Sequence, residues 1–279
     1  CIILCIRTFM LGHLKSLLNA FVFPGLLIFL IVELRLIPGG KLGFTCNDPA
    51  LSHTFTGDTI TWKHLIGIVL FLPLAVMLTV ERMYHNDKTT KPKKQALRWY
   101  KEYLFGVLLN ITIVQTIKLI VGSPRPHFFD TCSPSEALTC KDSEYVPSYT
   151  CTKAHWLSQS DKSFPSGHSS MALHAGVFLA VSIFINNRAV SSAQVVLLLT
   201  TVYCCVSRMT DHRHHWWDVL AGVIIGVPIL MYTIFYLCRN FEAPAPSEGN
   251  VTKPDLDINS TVDNISTSIN ATLIDNKET

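Results

Sequence analysis

Twelve residues, Ser207–Asp218, read SRMTDHRHHWWD and set arginine, histidine and aspartate side chains between two apolar runs, 190–206 and 217–238. Titratable groups at a membrane boundary are costly and tend to mark a site. A helix beginning near His214 would put His214 and Asp218 at i and i+4 on one face. The carboxylate could then take a hydrogen bond from one imidazole nitrogen and leave the other free as base or nucleophile. Two further clusters carry similar residues. KLIVGSPRPHF holds Lys118, Arg125 and Pro126, and SFPSGHSS holds Ser166, Gly167 and His168.

These residue types suit a phosphate monoester, which carries about two negative charges. Lys118, Arg125 and Arg208 supply three cations, and charge-assisted contacts of this kind are strong. Pro165-Ser166-Gly167-His168 at a helix start would add free backbone N–H groups and the positive end of the helix dipole. Glycine there lets the backbone approach an anion closely. His214, oriented by Asp218, could attack phosphorus. His168 could protonate the departing alkoxide and then activate the hydrolytic water. The cations would carry the transition-state charge, so no metal or other cofactor is expected. A metal site at Asp211, His212, His214, His215 and Asp218 is the competing arrangement, disfavoured by repulsion from those cations.

The elements that must position these groups read as membrane helices. Of 279 residues, 49% are hydrophobic and only 15% charged, with mean hydropathy +0.33. A soluble domain carries about a quarter charged residues. Six stretches can span a bilayer at about 20 residues each: 14–36, 63–83, 100–121, 166–186, 189–207 and 216–238. The expected class is therefore all-α, an integral membrane bundle of six transmembrane helices. Its candidate active site would lie at the outer or lumenal boundary.

Lys88, Lys91, Lys93, Lys94, Arg98 and Lys101 cluster between the second and third spans, and such clusters stay on the cytoplasmic side. Both termini then face the cytosol, and the connections 37–62, 122–165 and 207–215 face outside. The expected division is a cytosolic segment 1–13, a membrane domain 14–240 and a disordered cytosolic tail 241–279. Because the chain begins at Cys1, that first segment is expected to be incomplete or processed. Sequons at Asn250, Asn259, Asn264 and Asn270 would then stay unmodified, and one at Asn110 falls within a span. Cys46, Cys132, Cys140 and Cys151 lie in outer connections where disulfides form, with three pairings open. Cys204, Cys205 and Cys238 read as packed thiols, with acylation of Cys238 as an alternative. A net charge of +3 gives no case for a nucleic-acid partner.

Taken together, Lys118-x6-Arg125-Pro126, Pro165-Ser166-Gly167-His168 and Ser207-Arg208-x5-His214-x3-Asp218 resemble the three signature motifs of the type 2 phosphatidic acid phosphatase superfamily. The six spans are similar to its lipid phosphate phosphatase branch, over about residues 14–240. The resemblance implies a magnesium-independent phosphatase acting on phosphatidate, lysophosphatidate, sphingosine 1-phosphate and ceramide 1-phosphate. It also implies His214 as nucleophile, His168 as acid and base, and Asp218 as orienter. Lys118, Arg125, Ser166, Gly167 and Arg208 would be phosphate ligands. The expected partners are these lipids and the membrane, the plasma membrane first, with a homo-oligomer left open. Rival readings are a non-catalytic scaffold of the same fold, a transporter, and a phosphatase restricted to sphingoid or sugar phosphates. Arg213 reads as an exposed headgroup contact, Trp216 and Trp217 as interfacial aromatics, Asn110 as a cross-helix bond, and His127 and His155 as residues without an identifiable partner.

Overall fold

The computed structural model describes Ala20, Pro24, Leu27 and residues 39–84, 91–153, 160–187 and 191–241. In chain order they form β1 (Phe44–Thr45), α1 (Trp62–Tyr84), α2 (Pro92–Val121), α3 (Phe128–Cys132), β2 (Tyr145–Val146), α4 (Gly167–Asn187), α5 (Ser192–Thr210) and α6 (Trp216–Tyr232). A π turn, Thr233–Leu237, extends α6. Five helices are long and apolar enough to cross a membrane: Trp62–Met83, Pro92–Val121, Gly167–Ile185, Ser192–Thr210 and Trp216–Leu237. They coincide with five of the six expected spans. The first, 14–36, lies outside the described residues except for Ala20, Pro24 and Leu27, and the tail sequons and His155 lie outside them altogether.

Local chemistry sets the helix ends that matter here. Pro92 opens α2 with its ring-fixed φ. At the other end Gly122 caps the helix in the left-handed region, φ 56° and ψ 45°, and its N–H donates to Lys118 O. A side chain there would also strike the carbonyl oxygen of Gly40. The basic residues Lys93, Lys94, Arg98 and Lys101 and the candidate ligand Lys118 thus occupy opposite ends of one 30-residue helix.

Two expected boundaries are corrected. α5 runs on to Thr210, so Ser207 and Arg208 sit on its last turns rather than in a loop. α6 starts at Trp216, as the expected span 216–238 has it, with His215 as N-cap, so the start near His214 that the His214–Asp218 pairing required is not adopted. Asp218 is therefore the third helical residue, and its Oδ2 accepts from His215 N at 2.9 Å. An acid at this place satisfies a free helix N–H and faces the positive end of the dipole.

α4 is the central helix, packed against α1, α2, α5 and α6. Its Phe178 and Leu179 are at most 1% exposed. Without water to drive helices together, close packing relies on small residues and polar bonds. Gly106 of α2 faces Thr233, Gly176 of α4 faces Thr201, and Gly222 and Gly226 of α6 face Ser166 and Ser170. Asn110 joins α2 to α4 as expected: Ser170 Oγ donates to its Oδ1 at 2.6 Å, and its Nδ2 donates to Ser170 O at 3.3 Å. The outward face of α5 keeps Val195, Val196, Leu199, Val202 and Tyr203 exposed. Cys238 is a packed thiol, 2% exposed in the core beside Trp99, which leaves little access for acylation.

The connections before α1 and between α2 and α4 fold over one end of the bundle. β1 pairs antiparallel with β2, Phe44 opposite Val146. Tyr149 packs edge to face on Phe44 and Phe128, whose rings tilt against each other beside the strands. Of the open pairings, the structure adopts Cys46–Cys140 and Cys132–Cys151.

A Cβ on Gly222 would collide with the carbonyl oxygen of Ser166, backbone against backbone. Gly222→Ala should therefore lower Tm in detergent, at an overpacking cost of about 1–3 kcal/mol. Gly67→Ala on α1, where a Cβ meets nothing within 4 Å, should hold or raise Tm.

Candidate active site

The three motif clusters meet at one end of the bundle, and the stretch Ser160–Ser166 ties them together. Lys118 Nζ donates to Lys162 O at 3.0 Å, and Arg125 Nη2 donates to the same carbonyl at 3.2 Å. Arg125 N donates to Ser160 O at 2.9 Å and Ser163 N to Ser123 O at 2.9 Å. Ser166 N then donates to Asp218 O at 2.9 Å, linking the start of α4 to the first turn of α6. Lys118, Arg125, Ser166, Arg208, His214 and Asp218 are all buried; Gly167 and His168 are half-buried.

The turn between α5 and α6 delivers His214. His212 adopts a positive φ of 52°, which histidine tolerates better than most residues. The chain then doubles back, so that Arg213 N and His214 N both donate to Arg208 O, at 3.0 and 3.1 Å. His214 is left 3% exposed. Burial first, and then the charges of Lys118, Arg125, His168 and Arg213, push its pKa well below the ordinary imidazole value. At neutral pH it is an uncharged ring with a free lone pair, the state a nucleophile needs.

The expected bond from His214 to Asp218 is not formed. His214 Nδ1 stands 3.9 Å from Asp218 Oδ2, beyond hydrogen-bonding range. That oxygen already accepts from Ser163 Oγ at 2.6 Å, His215 N at 2.9 Å and His215 Nδ1 at 3.2 Å. The difference follows from the helix start: with α6 beginning at Trp216, Asp218 serves the helix end first. His214 Nδ1, Asp218 Oδ1, Arg125 Nε and His168 Nε2 are buried without a hydrogen-bond partner among the described residues. Arg125 Nε is thus a donor that an anion could take up.

Arg208 arrives already paired. Its Nη1 meets Asp58 Oδ1 at 3.0 Å and its Nη2 meets Asp211 Oδ2 at 2.7 Å. Arg213 is buried rather than an exposed headgroup contact. Its Nε meets Asp58 Oδ1 at 3.0 Å, its Nη1 reaches His127 Nε2 at 3.3 Å, and its guanidinium covers the Phe55 ring. His127 thus has partners, including Thr131 Oγ1 at 3.0 Å. Burial and the Arg213 charge pull Arg125 down to about 9, still a cation at neutral pH. The first outer connection is bound into this network as well, since Thr59 N and Oγ1 donate to Asp211 at 2.8 and 2.6 Å.

Asp58, Arg213, His127 and Ser163 are the residues that motif reasoning missed. Only the general rule that a buried guanidinium needs a carboxylate pointed toward an acid such as Asp58, and it did not say which one.

Above His214 opens a cavity of about 290 Å³ lined by His53, Pro126, Met209, His212, His215, Trp216 and Trp217. The rings of His212 and His215 are stacked on His53 at 4.0 Å and on Trp217 at 4.4 Å. Trp216 is 62% exposed at the rim, as suits an interfacial aromatic.

A helical membrane bundle that buries Lys118, Arg125, Arg208 and Arg213 beside His214 at one end has the makings of an anion-handling membrane protein. The PAP2 superfamily pattern matches residues 99–242, over half the chain, and the chain belongs to that family. A Drosophila melanogaster protein provisionally named a phosphatidate phosphatase is 30% identical over 80% of this chain and 66% of its own length. A Caenorhabditis elegans phospholipid phosphatase homolog is 31% identical over 73% of this chain and 67% of its own. Phospholipid phosphatase 2 of Bos taurus is 27% identical over 74% and 76%. The chain thus spans about two thirds of the length of the fly and nematode relatives.

Removing the Asp58 carboxylate would leave two buried guanidinium groups short of an anion. Asp58→Ala should destabilise by about 3–5 kcal/mol. Lys153→Ala, which breaks an exposed pair to Asp130 at 3.7 Å, should cost at most about 1 kcal/mol; Tm in detergent compares them. A second expectation concerns pH. Burial, then Arg125 and Arg213, lower His127 from 6.5 to about 3. The folded state keeps this ring neutral while the unfolded chain takes up a proton below about 6.5. Its contribution is therefore complete above that pH and lost progressively as pH falls toward 3. The fall in Tm between neutral and acid pH should be shallower in His127→Gln than in the wild type.

Proposed function

We propose that this chain is a lipid phosphate phosphatase that hydrolyses phosphomonoesters through a phosphohistidine on His214. The observation that carries the reading is the hydrogen-bonded joining of the three clusters: Lys118 and Arg125 share Lys162 O, and Ser166 N donates to Asp218 O. The names of the relatives, phosphatidate and phospholipid phosphatases, support the substrate class.

In this mechanism Lys118, Arg125 and Arg208 hold the phosphate oxygens, together with the backbone at Ser166 and Gly167. They stabilise the charge that develops at phosphorus. His214, with Nδ1 turned to Asp218, attacks through Nε2. A P–N bond forms as the ester P–O bond breaks, and His168 gives its proton to the leaving alkoxide. Water then attacks the phosphohistidine while His168 takes back a proton, releasing inorganic phosphate and free His214. The protein cations do the work that a magnesium ion does elsewhere, so the reaction needs no divalent metal.

Phosphatidate, lysophosphatidate, sphingosine 1-phosphate and ceramide 1-phosphate all present a monoester at the level of the membrane surface. The site lies at the end of α2 opposite the basic turn of Lys93, Lys94 and Arg98. The positive-inside rule then turns the pocket outward, to the cell exterior or a lumen, and leaves both termini in the cytosol. The plasma membrane is the location proposed.

Phosphate release from phosphatidate and sphingosine 1-phosphate should persist in detergent micelles with excess EDTA. His214→Ala should lower it by at least about a thousandfold. Release that EDTA abolishes would instead point to a metal-assisted reaction, and His214→Ala at the wild-type rate would remove the phosphohistidine.

A further inference from the structure

We infer that Ser163 is a positioning residue of this reaction, acting through Asp218 on His214; the inference rests on the phosphohistidine reading above. Ser163 lies outside the three motifs, two residues before Pro165. Its side chain is fully buried, and its Oγ donates to Asp218 Oδ2 at 2.6 Å, the shortest of the contacts to that carboxylate.

The hydroxyl is held from both sides. Ser163 N is anchored on Ser123 O at 2.9 Å, and the preceding carbonyl, Lys162 O, takes the donors of Lys118 and Arg125. Ser163 therefore moves with the phosphate-binding cations, while Asp218 moves with α6. The bond between them sets how the anion-binding half of the pocket sits against the nucleophile half.

Its chemical consequence lies in the remaining atoms. Ser163 and His215 fix Oδ2 of Asp218, while Oδ1 and His214 Nδ1 are both buried without a partner among the described residues. When His214 gains a bond to phosphorus its ring becomes cationic, and the fixed carboxylate is the anion beside it. A carboxylate released from Ser163 could rotate toward His215 alone and lose that alignment. A charge-assisted hydrogen bond is the strong kind. No substrate atom needs to touch Ser163, so its removal should act on turnover rather than on binding.

The test uses the full chain in detergent micelles with phosphatidate, comparing wild type, Ser163→Ala, Asp218→Asn, the double variant and His214→Ala. Ser163→Ala should lower kcat by about 10- to 100-fold, with KM little changed. The double variant should match Asp218→Asn, because the two residues act as one unit. Full kcat in Ser163→Ala, a change confined to KM, or independent losses that multiply in the double variant would each overturn the inference. If Ser163→Ala does not yield folded protein, Ser163→Cys fills nearly the same space with only a weak donor. The same fall in kcat is expected there, and wild-type kcat overturns the inference. His214→Ala separates the two levels. If it is inactive while Ser163→Ala is fully active, only the role of Ser163 falls. If His214→Ala is itself fully active, the phosphohistidine reading falls and takes this inference with it.

Discussion

Lys118, Arg125, Arg208 and Arg213 are each less than 9% exposed, and they crowd into one end of a membrane bundle. Like charges in a medium of low dielectric repel strongly, and each has lost its hydration. The rest of the outer structure answers that constraint. Asp58 and Asp211 neutralise the arginines that flank the α5–α6 turn, and a single backbone carbonyl serves Lys118 and Arg125. The carboxylates are bound to arginine side chains, whereas Arg125 Nε remains buried without a partner among the described residues. The balance leaves a cationic end of the bundle whose charge suits an anion.

Holding that many charges in place requires a rigid frame on both sides of them. Below, α4 meets its neighbours through glycines and small polar residues, close enough for Ser166 to touch both Gly222 and Asp218. Above, two disulfides and a short antiparallel pair fix the connections that carry Asp58 and Arg125. Neither part is catalytic in itself. Each restricts the distance between groups that would otherwise move apart, and preorganised charge is what an active site of this kind contributes to rate.

Much of this was legible without coordinates. Apolar runs of bilayer length marked five described helices, four of them within about three residues and α2 from Pro92 rather than residue 100, because a run that long and that apolar is best buried in lipid, where only a helix satisfies its own backbone. Three polar clusters at one set of helix ends pointed to one pocket, and residue type pointed to phosphate. One error came from a helix end. Supposing a helix start near His214 made Asp218 its partner by i, i+4 spacing, whereas the chain doubles back on Arg208 O and begins α6 at Trp216, where the apolar run begins. Helix boundaries are the least certain feature of a sequence, and here two residues change what a carboxylate binds.

The sequence by itself determined the class of the protein: a membrane-helical chain with cations, paired histidines and a glycine-bearing helix start at one boundary. These follow from local composition and spacing, which neighbours along the chain are enough to set. Tertiary structure alone decided the pairing of the four outer cysteines, the burial of Arg213, the partnership of Asp58 with Arg208 and Arg213, and the hold of Ser163 on Asp218. Asp58 and Arg208 are separated by 150 positions and Ser163 and Asp218 by 55. No local pattern encodes such contacts, which exist only because the helices pack closely enough to bury charge and then require it to be matched.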